Sequence, residues 1–353
     1  MFCYNTFIPK LYNWCVSMGF EPGKIIPSRA FCSDESQGFP IILMTKHFGA
    51  FPFNHGRVGG IVSVDRHGPH ADHGKDLLLI QASHVGYDPK TGEFGKYRRL
   101  LTENIDESCS CGKIGHHLHH YHADFDYARE NILLTRYQDQ PALLIDYRFT
   151  SRTREGLTLR WPQLVQWASE DTLPNPLAAR STGALYTASP KLVARIGVES
   201  FPKHGNTPIG AHLSSDDFYF MREWPAQDST QNQLERNLHA AMPWILTARH
   251  PMLTAACANT LAEFDRTYHS FGQSRATAGK NLLFISGLNI DISPEVGVDF
   301  PLTKFVPWAA YVQHANGHRE ILEQDEVIER LAAQSSENPA QLSLDKSIQT
   351  MLP

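Results

Sequence analysis

Leu77-Leu78-Leu79-Ile80 is a continuous apolar run that leads directly into Ser83-His84-Val85-Gly86. A segment that is apolar at every position is typical of a strand buried on both faces of a parallel sheet. In open α/β sheets, ligands bind beyond the carboxyl ends of such strands. The run therefore predicts an α/β fold with a mostly parallel central sheet flanked by helices, and it places His84 where a binding site would lie.

Two further segments carry metal-ligand residue types in turn-like surroundings. They are Cys32-Ser33-Asp34-Glu35 and Ser108-Cys109-Ser110-Cys111-Gly112. Two thiolates and one imidazole form a three-ligand zinc set, and a catalytic zinc site keeps its fourth position for water or substrate. Asp34 is close enough to Cys32 in sequence to reach that position. We expect zinc-dependent hydration or hydrolysis, with one cysteine of the later segment completing the set.

The six cysteines of this long chain do not indicate a disulfide framework. Cys3, Cys15 and Cys257 lie in apolar or helical surroundings and are predicted to be small buried side chains. A redox pair formed by Cys109 and Cys111 is disfavoured, because the Cys-x-Cys spacing is tight for a disulfide.

Composition excludes several classes of partner. The chain has 353 residues, is 20% charged and carries a formal net charge of −5. No block of Lys and Arg stands out, so we expect no nucleic-acid partner. No apolar run approaches the roughly 18 residues of a membrane-spanning helix, so we expect no membrane partner. Residues 1–10 lack the pattern of a secretory signal. The expected location is the cytoplasm, or an organelle stroma if a transit peptide has been removed.

Hydrophobic periodicity predicts the remaining elements. Residues 1–26 have helical spacing, and Ile25 to Phe31 contains a first strand. Further strands are predicted at residues 60–65, 77–83, 282–287 and 305–313. Helices are predicted from Gly112 through Tyr137, from 231 to about 268 with breaks at Pro243 and Pro251, and from 320 to 333.

The histidine-rich segment His116 to His122 leaves two interpretations open. On a helix, His116 and His120 share one face, as a second metal site would require. The segment could equally be a solvated helix start or part of the wall of the zinc site. Histidine also has the pKa, near 6.5, that suits a proton shuttle. The shuttle candidates are His55, His67, His70 and His73.

Five short segments follow one another along the chain in an order that is informative. They are Cys32-Ser33-Asp34-Glu35, the glycine-rich residues 54–60, His84-Val85-Gly86, Gly95-Lys96-Tyr97-Arg98-Arg99 and Cys111-Gly112. In this order and spacing they resemble the limiting-CO2-inducible protein B/C family, whose fold and zinc site are similar to those of β-class carbonic anhydrases. The resemblance covers residues from about 15 to 125 well and from about 275 to 320 loosely.

The resemblance implies a function and a site. Carried over to this chain, the family's zinc ligands are Cys32, His84 and Cys111. Cys111 is preferred over Cys109 because the family has a glycine directly after this ligand. The family's active-site aspartate maps to Asp34. The implied activity is the reversible hydration of CO2 to bicarbonate by zinc-bound hydroxide, in a homodimer.

One departure from the family keeps other functions open. β-class enzymes pair the aspartate with an arginine two residues later, and many relatives of this family have one slightly further on. Here those positions are Ser36 and Gly38, and Arg57 or Arg66 would have to substitute in space. The alternatives are a catalytically weak zinc-binding relative with a regulatory or scaffold role in inorganic-carbon handling, and a zinc hydrolase acting on a larger substrate.

The same matches predict the domain organisation. We expect one α/β zinc domain over residues 1–330, with its core at 15–125 and 275–320. Residues from about 125 to 270 would form a helical insertion or extension. Residues 331–353 are predicted to be a polar, mobile tail.

Overall fold

The computed structural model describes residues 1–64, 75–98, 108–150, 155–167, 174–224, 232–294 and 302–351. The chain forms two compact units. Unit 1 comprises Met1–Gly115 and Met252–Pro353, and unit 2 comprises His116–Pro251. Within the described ranges, no helix has both the length and the apolar character needed to span a bilayer. The three candidate zinc ligands all belong to unit 1.

The strands of the described residues are numbered in chain order. The first nine are β1 (Phe2–Cys3), β2 (Ile25–Ala30), β3 (Phe53–Asn54), β4 (Gly56–Arg57), β5 (Ile61–Val62), β6 (Asp76–Asp88), β7 (Glu93–Phe94), β8 (Lys96–Tyr97) and β9 (Ser108–Cys109). The next seven are β10 (Ile132–Tyr137), β11 (Gln140–Asp146), β12 (Gly156–Leu159), β13 (Ala178–Ala179), β14 (Gly183–Thr187), β15 (Thr207–Pro208) and β16 (Phe218–Met221). The last three are β17 (Leu282–Ile292), β18 (Leu302–Gln313) and β19 (Arg319–Leu322).

The α-helices are numbered in the same way. The first five are α1 (Tyr4–Ser17), α2 (Gly38–Phe48), α3 (Gly112–Asn131), α4 (Trp161–Leu164) and α5 (Pro190–Ile196). The others are α6 (Gln233–His239), α7 (Met242–Thr247), α8 (Pro251–Gln273), α9 (Gln324–Ala332) and α10 (Leu344–Met351).

The central sheet of unit 1 has the strand order β1-β18-β17-β6-β2-β3, with β19 beside β18 and β7 beside β6. The pairs β17–β6, β6–β2 and β2–β3 are parallel. The pairs at the periphery, including β17–β18 and β18–β19, are antiparallel. The α/β class predicted from the sequence is confirmed, and β6, which carries His84, lies between two parallel neighbours.

Side chains of β6 alternate between two apolar clusters, because successive side chains of a strand point to opposite faces. Leu78 and Ile80 pack in a cluster with residues of α1, α2 and α9. Leu77 and Leu79 pack in a second cluster with Phe264 of α8 and with residues of β17 and β18. Helices therefore cover both faces of the central strands, which explains the continuous apolar run at the sequence level.

The strand predicted at residues 60–65 is not part of this sheet. Only Ile61–Val62 is extended in a strand, and it pairs antiparallel with Gly56–Arg57 in a separate two-stranded ribbon. Gly59 and Gly60 have φ values of 81° and 76°, so the chain turns immediately before the β-branched residues. Residue 65 lies outside the described residues.

Several predicted elements have different bounds. The N-terminal helix covers residues 4–17 rather than 1–26, because residues 2–3 pair with β18 and Gly19 has a φ of 91°. The helix after Gly112 ends at Asn131 and not at Tyr137. In the tail, β19 occupies the first part of the helix predicted at 320–333. The predicted breaks at Pro243 and Pro251 are confirmed, because α7 and α8 begin at these prolines or one residue before.

Unit 2 is not the helical insertion that the sequence indicated. It contains a five-stranded sheet with the order β13-β14-β11-β10-β15, in which every pair is antiparallel. Strands β10 and β11 are joined by Gln138 and Asp139, which have φ values of 49° and 62°. These φ values suit a two-residue hairpin. Because neither residue is glycine, the usual sequence signal of such a turn is absent.

A buried histidine gives unit 1 an acid-sensitive stability. His47 lies in the last turn of α2, where Asn338 Nδ2 is 3.3 Å from its Nδ1. Burial, aided by the charge of Lys46, lowers the pKa of His47 from 6.5 to about 4. Between those two pH values the unfolded chain binds a proton that the folded chain does not. The folded state therefore loses stability as the pH falls from 6.5 to 4.

The variant His47→Gln is expected to lose less stability than the parent as the pH falls, because glutamine does not titrate and can still accept a hydrogen bond from Asn338. The measurement is the free energy of unfolding in urea at pH 7 and at pH 4.5, for the parent and the variant. His269→Gln is the control, since His269 is exposed. An equal loss of stability in the parent and in His47→Gln would contradict the prediction.

Candidate metal centre

Three buried side chains from separate parts of the sequence meet in unit 1. One ligand atom each from Cys32, His84 and Cys111 lies within 4.8 Å of the others. Across the described ranges, this is the one group of at least three His, Cys, Asp or Glu side chains whose geometry could hold a metal ion. The structure thus brings together the residues that the sequence predicted as ligands.

His84 presents one ring nitrogen to the cysteines. Its Nδ1 lies 2.8 Å from Asp291 Oδ2 and 3.2 Å from the Ser110 hydroxyl. Its Nε2 is buried and makes no hydrogen bond with any described residue. A buried polar atom without a partner is costly, so such an atom needs an explanation. A ring nitrogen that faces two sulfur atoms is what a metal ligand requires.

Cys32 follows β2 and has the properties of a thiolate. The backbone N–H of Gly59 donates to Cys32 Sγ at 3.1 Å. The hydrogen bond with Cys111 lowers the pKa of Cys32 to about 4 despite burial, and interactions with His84 and with the backbone of Gly59 add to this effect. The thiolate, not the thiol, is the form that binds metal ions.

The glycine-rich segment 54–60 positions this donor. Gly59 has a φ of 81°, and its carbonyl accepts a 2.8 Å hydrogen bond from Asn259 of α8. A Cβ on Gly60 would lie 2.2 Å from the carbonyl oxygen of Ala82. Gly60 therefore lets the segment pass directly against β6, two residues before His84. The glycines allow the backbone to pack closely around the ligands.

Cys111 lies immediately before α3, with a φ of 49°. Its carbonyl accepts hydrogen bonds from Ile114 and Gly115, which start the helix. The hydrogen bond with Cys32, together with burial, raises the pKa of Cys111 well above its usual value. The two thiols thus share one proton, which sits on Cys111. Metal binding would displace that proton.

His84 also carries a proton in the absence of metal. Burial opposes its charge, but the hydrogen bond to Asp291 and the nearby sulfur of Cys32 outweigh burial and raise the pKa of His84 to about 10. The cluster therefore holds protons in place of a cation. A zinc ion would replace these protons and neutralise the two sulfurs. The residues present fit zinc, with two cysteines and one histidine as ligands.

Asp34 lies beside this group. Its Oδ2 is 3.9 Å from His84 Nε2, which is too long for a hydrogen bond. Its Oδ1 lies 3.4 Å from the backbone nitrogen of Ser36 and 3.3 Å from the Ser36 hydroxyl. The Asp34 carboxylate thus lies next to the candidate ligands, while Ser36 contacts its other oxygen.

The structure describes some of the other residues that the sequence singled out. Arg57 donates through Nε to the Ser63 hydroxyl at 2.8 Å. His55 is partly exposed and stacks on Phe53. Cys3 is exposed and Cys257 is half-buried, so the prediction that both are buried is wrong. The side chain of Cys109 and the residues Arg66, His67, His70, His73 and Arg99 lie outside the described residues.

The histidines of α3 are divided between surface and interior. His116, His119 and His120 are exposed, whereas His117 is buried, with Nδ1 3.8 Å from Glu235 Oε2. In the described part of the chain these side chains do not form a group with metal-site geometry. The solvated interpretation fits the exposed members of the segment.

Sequence reasoning missed the residues that surround His84, above all Asp291. A signal was present in β17, because Asn289 and Asp291 alternate with apolar side chains in a mostly apolar strand. Polar side chains on one face of a buried strand need partners inside the protein. The sequence alone did not show which partners these are.

Comparisons with known proteins found solved structures that align with this chain. No family model and no curated protein matched the sequence. Among solved structures, PtLCIB4, a homolog of the limiting CO2-inducible protein LCIB, aligns with a TM-score of 0.53 at 12% identity, over 91% of this chain and 94% of that chain. LCIB itself aligns with a TM-score of 0.46 at 12% identity, over 91% of this chain and 93% of that chain. The resemblance predicted from the motifs is confirmed at the level of the fold: this chain has the fold of a limiting CO2-inducible protein homologue.

Proposed function

We propose that this protein is a zinc-dependent carbonic anhydrase that interconverts CO2 and bicarbonate. The observation that carries the proposal is the buried Cys32, His84 and Cys111 group with the carboxylate of Asp34 beside it. Two sulfurs and one imidazole nitrogen suit zinc, and three protein ligands leave one coordination position for a reactant. When bound, zinc would supply the Lewis acidity that makes water a nucleophile near neutral pH.

Asp34 supplies orientation in this proposal. A carboxylate accepts hydrogen bonds, so Oδ2 can hold the proton of the attacking water and direct the water's lone pair toward the carbon of CO2. Its other oxygen lies near the Ser36 hydroxyl and backbone nitrogen. The reaction consumes one water and releases one proton for each bicarbonate formed. If Asp34 itself took the fourth position, this carboxylate would have to move before water could bind.

Ser36 stands where the resemblance to β-class enzymes leads one to expect an arginine. Its hydroxyl lies 3.3 Å from Asp34 Oδ1 and 3.0 Å from Asp291 Oδ2. Because a hydroxyl has one proton, Ser36 donates to only one carboxylate at a time.

The test is stopped-flow CO2 hydration on full-length protein whose zinc content has been measured. The assay is run near pH 7 and again at mildly alkaline pH, before and after removal of zinc by a chelator. We expect activity with about one zinc per chain, lost on chelation and restored by zinc. Stoichiometric zinc without activity at either pH would contradict the proposal and favour the regulatory relative or a hydrolase with another substrate.

We also propose that the protein is a homodimer. Five large apolar side chains between residues 39 and 58 are exposed in unit 1, namely Phe39, Ile42, Phe51, Phe53 and Val58. Clusters of exposed apolar side chains often mark association surfaces. Multi-angle light scattering decides the point, since a monomer mass of 39.7 kDa at micromolar concentration would overturn the proposal.

A further inference from the structure

Asp291 is a fully buried carboxylate near the end of β17. Strands β17 and β6 are parallel, and their register pairs Asn289 with His84 and Asp291 with Gly86. The aspartate thus lies on the neighbouring strand, two positions beyond the histidine. From there Asp291 Oδ2 reaches His84 Nδ1 at 2.8 Å.

Asp291 is held by several donors at once. Thr303 Oγ1 donates at 2.8 Å, Gln37 Nε2 at 3.0 Å, and the Ser36 hydroxyl lies at 3.0 Å. A carboxylate has about four acceptor positions, so these contacts and His84 nearly saturate it. Donors from β18, from the segment before α2 and from β6 therefore fix the orientation of its plane.

The contact determines which ring nitrogen of His84 faces the thiols. A carboxylate accepts and cannot donate, so the proton of the imidazole lies on Nδ1, toward Asp291. Nε2 is then the nitrogen that becomes available to a metal ion, and it is this atom that is buried without a hydrogen-bond partner. Carboxylates in this position fix the tautomer of metal-bound histidines and make them more basic.

The carboxylate belongs to a longer buried network. Gln37 donates to Asp291 through its amide nitrogen and accepts through its amide oxygen from Asn289 Nδ2. Asn289 Oδ1 accepts in turn from the hydroxyl of Tyr4 on α1 at 2.7 Å. Each amide thus has a defined orientation. The network ties the direction of the His84 ring to the packing of α1 on the sheet.

The geometry points to Asp291 as the positioning residue for His84: it selects the tautomer with a free Nε2 and aims that atom at Cys32 and Cys111. This inference rests on the proposed metal centre and not on CO2 hydration. It also assigns Ser36 a second role, because the residue that replaces the expected arginine supports the carboxylate behind the histidine ligand.

The test compares Asp291→Asn with the parent and with Asp88→Asn, which removes a carboxylate at a turn outside the centre. Zinc affinity is measured by competition with a chromophoric chelator, and circular dichroism of the metal-free proteins shows whether each is folded. We expect Asp291→Asn to bind zinc about 10- to 100-fold more weakly and Asp88→Asn to bind it as the parent does. A folded Asp291→Asn with the affinity of the parent would overturn the inference.

A second measurement needs no variant. Nitrogen-15 spectra of the histidine rings, recorded before and after zinc is added, identify the nitrogen that coordinates. A bound Nε2 with a protonated Nδ1 is expected, and coordination through Nδ1 would overturn the inference even if Asp291→Asn fails to fold. If the parent takes up no zinc, the proposed function fails first; if only the Asp291 results disagree, the inference alone fails.

Discussion

Replacing Cys32 with serine is expected to abolish stoichiometric zinc binding and, with it, CO2 hydration. The Cys32 thiol has the lowered pKa, about 4, so it supplies the negative charge that first attracts the metal ion. A serine hydroxyl does not ionise near neutral pH and is a poor zinc ligand. Zinc per chain, measured by mass spectrometry after desalting, should fall from about one to near zero.

Cys3→Ser is the matched control, because Cys3 is exposed and lies outside the candidate centre. It should retain zinc and activity. Circular dichroism must show that Cys32→Ser is folded, since metal binding can contribute to stability. If folded Cys32→Ser keeps one zinc per chain, the ligand set proposed here is wrong.

Replacing Asp34 with asparagine is expected to leave zinc bound but to slow CO2 hydration by about 100- to 10,000-fold. Asp34 Oδ2 is 3.9 Å from His84 Nε2, close enough to contact a reactant in the fourth position. Asparagine keeps the shape of the side chain but loses the charge, and its amide nitrogen donates instead of accepting. The loss should appear in kcat at every pH.

The control is Glu21→Gln, which removes an exposed carboxylate that pairs with Lys24. This variant should match the parent in both zinc content and rate. Full activity of Asp34→Asn would exclude the proposed role of Asp34. A faster rate in Asp34→Asn would instead show that the carboxylate occupies the fourth position in the resting protein.

Sequence patterns predicted the central strands of unit 1 because burial restricts which residue types can occupy a strand. A strand covered on both faces must be apolar at nearly every position, so residues 77–80 and 282–285 were recognisable from the sequence. Both proved to belong to adjacent parallel strands. The polar residues at the ends of such strands pointed to His84. The order of the cysteine and glycine segments then indicated the fold.

Unit 2 was harder to predict because its strands are short and its signals are weak. Strand β10 follows α3 without a glycine or proline, so helical periodicity was extended past Asn131 to Tyr137. The turn that follows uses Gln138 and Asp139 at positive φ, which few non-glycine residues adopt. Tertiary pairing with β11 determines this segment, and local sequence preference does not reveal that pairing.

The α/β class and the position of the central strands followed from local sequence patterns, and the full set of candidate ligands followed from the resemblance to a known family. The residues that support those ligands became visible in the three-dimensional arrangement of the strands. Asp291 lies 207 positions from His84 along the chain, and it meets Nδ1 because two distant strands pair in one register. Hydrogen bonds between buried polar groups depend on positions accurate to a few tenths of an ångström, and these positions are set by the packing of the whole sheet.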